Sequence, residues 1–117
     1  MKTRITLALS TATLGLAFFL LPARAVAAED PGKDAFLAQK CNQCHSVKSA
    51  SIVATATSEK MKGPDLTGEI VKAGVDWSKQ FVTRQVKKED KQHKKEYKGT
   101  PEDLDKILAW LATQNKP

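Results

Sequence analysis

The two cysteines of this chain lie three positions apart, and the second is followed directly by a histidine. These residues are Cys41, Cys44 and His45, in the stretch "KCNQCHSV" that spans residues 40–47. A thiol pair beside an imidazole can form a redox disulfide, contribute ligands to a zinc ion, or attach a haem covalently. The elements that position these residues decide which of the three chemistries is favoured.

The N-terminus has the three-part layout of a secretory signal. Two basic residues precede a mostly apolar run, residues 5–21, and small residues follow near Ala27 and Ala28. We predict that residues 1–28 are a signal peptide and that residues 29–117 form one periplasmic domain. The alternative is an uncleaved anchor in the inner membrane, because the run approaches the length of about 20 residues that spans a bilayer.

The predicted domain is small and only mildly basic. Three of the 19 basic residues lie in residues 1–28, so the domain keeps 16 bases against 13 acids, a net charge of +3. So small an excess does not suggest nucleic-acid binding. Small domains bury a low fraction of their surface and are often stabilised by disulfides, metals or large apolar cofactors. A disulfide between Cys41 and Cys44 would constrain almost nothing, which favours a cofactor.

The surrounding sequence favours haem over the other two chemistries. A dithiol oxidoreductase site is expected in a βαβ unit, and no such alternation follows residue 29. His93 could complete a set of four zinc ligands, but adjacent Cys44 and His45 cannot easily reach one tetrahedral ion. The pattern C-x-x-C-H in an exported chain is typical of haem c attachment. We therefore predict one haem c, attached through Cys41 and Cys44 and ligated by His45.

Apolar periodicity and capping signals predict an all-α fold of about three helices around the haem. The first begins at Asp30-Pro31 and runs into Cys41, and the second begins after Asp76. The third begins after Thr100, with apolar residues at i, i+3, i+4 and i+7. Residues 46–62 are small, polar and without sustained period, so we predict a loop there.

These features, in this order, resemble the class I monohaem cytochromes c over essentially the whole of residues 29–117. The resemblance is carried by "CNQCH" after a helix, a "GPDL" turn, an aromatic helix starting "DWSKQF", and a C-terminal helix reading "LDKILAWL". It implies that the first and last helices cross against the haem. The residues expected at that crossing are Phe36 or Leu37 from the first helix and Ile107 and Trp110 from the last.

One spacing departs from the family. The pattern Gly-x3-aromatic-x3-Cys is one residue longer here, because Gly32 and Phe36 lie nine and five residues before Cys41. The resemblance also implies that the carbonyl of Pro64 accepts a hydrogen bond from His45, which would orient the imidazole and strengthen it as a donor. The further haem contacts that we assign are Leu66, Trp77, His93 and Tyr97.

The second axial ligand is where this sequence differs most from the family. Family members usually take a methionine from a loop shortly before the C-terminal helix. The one methionine after the predicted signal, Met61, lies instead two residues before Gly63-Pro64. His93 occupies the position where the methionine is expected, so we predict that His45 and His93 both bind the iron. Met61, Lys94 and water are the alternative ligands.

The function that follows is one-electron transfer without substrate turnover, because the haem supplies the chemistry and no nucleophile–base constellation is apparent. We expect redox protein partners with acidic docking surfaces, no nucleic acid, no membrane contact after signal cleavage, and a monomer. The lysines that could steer an acidic partner are Lys40, Lys48, Lys60, Lys62 and those of residues 87–98. The alternatives are a haem-based sensor or ligand binder with an open distal site, and an electron-entry subunit of a larger redox enzyme.

Overall fold

The computed structural model describes residues 29–116, and the predicted signal segment, residues 1–28, lies outside them. The described part is helical, which confirms the predicted all-α class, and it contains no strand beyond two isolated bridges. No helix in this part is both long and apolar enough to cross a membrane. The helices are α1 (Pro31–Ala38), α2 (Glu69–Ala73), α3 (Val75–Val82) and α4 (Pro101–Thr113), with short 3-10 turns at Cys41–Gln43 and Lys48–Ala50.

Helices α1 and α4 begin as their capping signals predict. The Asp30 carboxylate accepts a hydrogen bond from the amide of Gly32 at 2.9 Å, and Thr100 caps α4 by accepting from the amide of Asp103 at 3.2 Å. A proline follows each cap, where its missing N–H costs nothing. The other end of α1 was predicted wrongly, since the helix stops at Ala38. Lys40 adopts a positive φ of 58°, which turns the chain before Cys41.

The crossing of α1 and α4 is the centre of the core. Phe36 is fully buried, and its ring centroid lies 5.4 Å from that of Trp110. Gly32 lies one turn before Phe36, and a Cβ there would overlap the Lys106 carbonyl oxygen and Trp110 Cβ. Phe36 therefore makes the crossing, whereas Leu37 remains 39% exposed. The extra residue in the spacing does not disturb this face, because it lies beyond the helix, before Cys41.

Two parts of the core come from segments without a predicted helix. Val47 and Ile52 are buried, although residues 46–62 were predicted to be a polar loop. Their backbones exchange two hydrogen bonds, 2.9 and 3.1 Å, which close a turn and bring both side chains inward. The short helix α2 was not predicted either, and it contributes Ile70 to the core. The buried apolar residues are Phe36, Val47, Ile52, Ile70, Leu104, Ile107, Leu108, Trp110 and Leu111.

Candidate functional site

The two thiols and the neighbouring imidazole project from one tight turn. The amides of Cys44 and His45 both donate to the carbonyl of Cys41, at 3.3 and 3.0 Å. Both cysteines are free and partly buried. Burial raises the pKa of Cys41 to about 11, and the nearby charge of Lys95 offsets this only in part. The Cys41 thiol is therefore protonated at neutral pH.

His45 is held as a neutral ring with one nitrogen free. Its Nδ1 lies 2.8 Å from the carbonyl oxygen of Pro64. A carbonyl can only accept, so Nδ1 carries the proton and the lone pair lies on Nε2. Burial lowers the pKa of His45, and the hydrogen bond to Pro64 opposes this only in part. The result is an imidazole whose Nε2 can bind a metal.

The segment after the turn that carries Pro64 packs closely on this imidazole. The Gly63 amide donates to the Cys44 carbonyl at 2.7 Å, and the Leu66 amide donates to the Ser46 carbonyl at 2.9 Å. These two bonds lay Gly63 directly against the His45 ring, so that a Cβ on Gly63 would lie 2.7 Å from Nδ1. Position 63 therefore has room only for glycine, because any side chain would overlap the His45 ring.

Asp65 ties the same two segments together. One carboxylate oxygen accepts from the Ser46 hydroxyl at 2.7 Å and from the Lys48 amide at 3.1 Å. The other accepts from the Thr67 amide at 2.9 Å, which is an Asx turn. Partial burial raises the pKa of Asp65, but the hydrogen bonds from Ser46, Thr67 and Lys48 outweigh it and lower the pKa below its ordinary value of 3.8.

The hydrogen bonds accepted by the Asp65 carboxylate should make the stability of the fold depend on pH. A carboxyl whose pKa is lowered by folding stabilises the fold above its unfolded pKa and loses that contribution as pH falls through the folded pKa. We expect Asp65→Asn to lower the free energy of unfolding by about 1–2 kcal/mol at pH 7. The difference from wild type should shrink as the pH is lowered below 3.8. Denaturant unfolding of both proteins across this range measures it, and a constant difference would contradict the role of the charge.

His93 is oriented in the same way as His45. Its Nδ1 donates to the carbonyl of Lys95 at 2.6 Å, because that oxygen can only accept. This bond leaves Nε2 as the ring nitrogen without a partner in the described contacts. The rings of His45 and His93 have centroids 6.0 Å apart and planes within 14° of each other. The Phe81 ring meets His93 edge-on at 5.4 Å.

The distance between the two ring centroids is close to the value for two imidazoles that bind one metal ion. A nitrogen–metal bond of about 2 Å plus about 1 Å from nitrogen to ring centre, counted on both sides, gives roughly 6 Å. The observed value is 6.0 Å. Beside this pair lie two thiols spaced for covalent attachment of a haem. Among residues 29–116, no three His, Cys, Asp or Glu side chains group around a common metal position. Cys41 and Cys44 could therefore attach a haem, and His45 and His93 are the two imidazoles that could bind its iron.

The other predicted site residues lie around this pair at different distances. Trp77 stacks on Phe81 with centroids 4.9 Å apart, and Phe81 in turn contacts His93. Leu66 and Tyr97 pack against the core, and the Tyr97 hydroxyl donates to the Thr100 carbonyl at 2.8 Å. Of the alternative iron ligands, Met61 is 54% exposed. The Lys94 ammonium donates to the carbonyl of Lys60.

Three residues that shape the site were not singled out from the sequence. Gly63 was recognised only as part of a turn. Asp65 carries a local signal, the Asp-x-Thr pattern of an Asx turn, but its bond to Ser46 is a tertiary contact. Arg84 donates to the backbone carbonyls of His93 and Lys94. The sequence signal that could have drawn attention to Arg84 is its rarity, because residues 29–117 contain no other arginine.

Comparison with known proteins agrees with this fold and this set of residues. The family model Cytochrome c matches residues 29–115. The chain therefore belongs to the cytochrome c family, which confirms the predicted resemblance to its class I members. Members of this family carry electrons on covalently bound haem c, and the two cysteines of its attachment motif are present here. No curated protein and no solved structure matches the chain.

Proposed function

We propose that this protein is a periplasmic one-electron carrier with a single haem c attached through Cys41 and Cys44 and ligated by His45 and His93. The observation that carries the proposal is the pair of imidazoles, nearly parallel and 6.0 Å apart, each with Nδ1 bonded to a carbonyl. The location is supported by the signal-like residues 1–28 and by the usual extracellular or periplasmic location of the family.

The protein's part in this function is to hold the ligands still. When bound, the haem supplies a one-electron couple. Nδ1 of His45 and Nδ1 of His93 each donate to a carbonyl oxygen, which would hold both rings in a fixed orientation toward a bound iron. Imidazole is a stronger donor than a thioether, and methionine ligation raises haem potentials. Two histidines should therefore give a lower potential than one histidine and one methionine in a similar pocket.

The alternative functions differ in what they need on the distal side. A sensor or ligand binder needs an open iron position, whereas the His93 ring lies 6.0 Å from that of His45 and nearly parallel to it. That placement favours electron transfer. An electron-entry subunit would keep the same haem ligands, so it is a variant of the same proposal with a permanent partner.

Replacing His93 tests the proposal directly. We expect His93→Ala to convert the oxidised protein to a high-spin spectrum and to let the reduced protein bind carbon monoxide rapidly, because the distal position is then free. Met61→Leu is the matched control, and it should leave both visible spectra and the potential unchanged. An unaltered spectrum in His93→Ala, or the loss of a sulfur-to-iron band in Met61→Leu, would rule out ligation by two histidines.

A further inference from the structure

Arg84 is the exception in a domain that otherwise uses lysine. Residues 29–117 contain fifteen lysines and this one arginine. Its Nε donates to the carbonyl oxygen of His93 at 3.0 Å, and its Nη2 donates to that of Lys94 at 2.5 Å. A guanidinium presents several donors in a rigid plane, while an ammonium is a compact point charge. Two neighbouring carbonyls held by one side chain are a contact for which lysine is a poor substitute.

The position of Arg84 makes this contact a link between a helix and the predicted ligand. Arg84 follows α3 (Val75–Val82), and its amide donates to the carbonyl of Phe81 at 3.1 Å. Its φ is 60°, a left-handed conformation that costs free energy in any residue other than glycine. The amide of Gln85 donates to the carbonyl of Gln80 at 2.8 Å, so the two amides form a Schellman C-cap that stabilises this conformation and fixes the backbone of Arg84 at the end of α3. The guanidinium thus connects the end of a packed helix to the backbone of His93.

The segment that carries His93 has few other supports. Residues 87–98 contain six lysines, and of the twelve only His93 and Tyr97 are even partly buried. The Tyr97 amide donates to the Val82 carbonyl at 2.8 Å, which fixes the far end of the segment. Around His93, the contacts are the Phe81 ring, the bond from the Lys94 ammonium to the Lys60 carbonyl, and the two bonds of Arg84 to the carbonyls of His93 and Lys94, which we call the Arg84 fork.

The fork of Arg84 also bears on the orientation of the imidazole. Nδ1 of His93 donates to the carbonyl of Lys95, the residue directly after the two that Arg84 holds. Fixing the carbonyls of His93 and Lys94 therefore limits where the Lys95 carbonyl can lie. That acceptor sets the tautomer and direction of the ring, as outer hydrogen bonds commonly do for metal-binding histidines.

We propose that Arg84 is a positioning residue that keeps His93 in the distal position of the haem, acting through the carbonyls of His93 and Lys94. The inference rests on the proposed ligation by His45 and His93. An exogenous ligand can bind the iron only when His93 has left it, so its apparent binding rate reports the detached fraction. Loss of the fork enlarges that fraction. Loss of general stability elsewhere in the domain does not.

The test measures carbon monoxide binding to the reduced holoprotein by rapid mixing. We expect Arg84→Ala and Arg84→Lys each to bind roughly ten-fold faster than wild type, the effect of losing about one net hydrogen bond to a charged group. Arg84→Lys keeps the charge and the length, so it remains informative if the alanine variant folds poorly. The matched control is Lys79→Gln, which breaks an ion pair of 2.7 Å from α3 to Asp105 and should leave the rate unchanged.

The outcomes separate this proposal from the one on which it rests. If His93→Ala binds carbon monoxide at once but both Arg84 variants keep the wild-type rate, the positioning role of Arg84 is overturned and ligation by His45 and His93 is retained. If Arg84→Lys alone matches wild type, a single ammonium suffices and the fork is again overturned. If His93→Ala itself behaves as wild type, the ligation fails, and the role of Arg84 fails with it.

Discussion

Gly63→Ala is expected to displace His45 and to reduce haem loading severely. The added Cβ would lie 2.7 Å from Nδ1 and 3.0 Å from Nε2 of the imidazole. Neither side can yield easily, because the Gly63 amide is bonded to the Cys44 carbonyl and Nδ1 is bonded to the Pro64 carbonyl. Overpacking costs about 1–3 kcal/mol where side chains can adjust. Here the strain falls on a predicted iron ligand, so it should appear as lost cofactor as well as lost stability.

The measurement is the ratio of haem absorbance to protein in purified material, together with the unfolding midpoint. Gly74→Ala is the matched control, because nothing lies within 4 Å of a Cβ there and its φ of 90° makes the cost one of backbone strain alone. The control should lose stability and keep its haem. Normal loading and an unchanged spectrum in Gly63→Ala would mean that His45 is free to move away from residue 63.

The features of the fold that were predicted correctly have local signals in the sequence. Asp30-Pro31 and Thr100-Pro101 place an N-cap and a proline at the start of a helix, and both helices begin there. Helix α2 has no comparable signal, since five residues are too few to establish a period. Val47 and Ile52 are buried because a turn folds them inward together, and turns of that kind leave no periodic pattern.

The same distinction applies to the candidate site. The spacing of Cys41, Cys44 and His45 is itself the signal for haem attachment, and it can be read from five residues. The family resemblance suggested Pro64 as the partner of His45, and their contact is 2.8 Å in the structure. The close approach of Gly63 to His45 and the fork of Arg84 depend on how distant segments meet. No pattern within either segment specifies those contacts.

Gly32→Ala is expected to be among the most destabilising single substitutions in the domain. A Cβ at Gly32 would overlap the carbonyl oxygen of Lys106 and Cβ of Trp110. The backbone of α4 fixes the positions of both atoms, so no change of rotamer can relieve the clash, and α1 must move away from α4. That movement would loosen the packing of Phe36 on Trp110, at the most buried point of the core.

The helix propensity of alanine predicts the opposite sign for this substitution, so the measured sign distinguishes the two effects. Alanine is favoured over glycine in a helix interior by about 1 kcal/mol and by less in the first turn, where Gly32 lies, so propensity alone predicts a small stabilisation of α1. We expect a net loss of about 3 kcal/mol instead, at the upper end of overpacking costs. For a domain of this size, that corresponds to a fall in Tm of roughly 12–24 °C.

The matched control lies on the other side of the same helix. Leu37 is 39% exposed, so Leu37→Ala should lower the free energy of unfolding by about 1 kcal/mol or less, well below the loss expected for Gly32→Ala. Thermal unfolding of the two variants beside wild type compares the faces of α1 directly. A larger loss for Leu37→Ala than for Gly32→Ala would show that α1 packs on α4 through Leu37. The one-residue shift in the spacing before Cys41 would then have rotated the helix, contrary to the crossing described above.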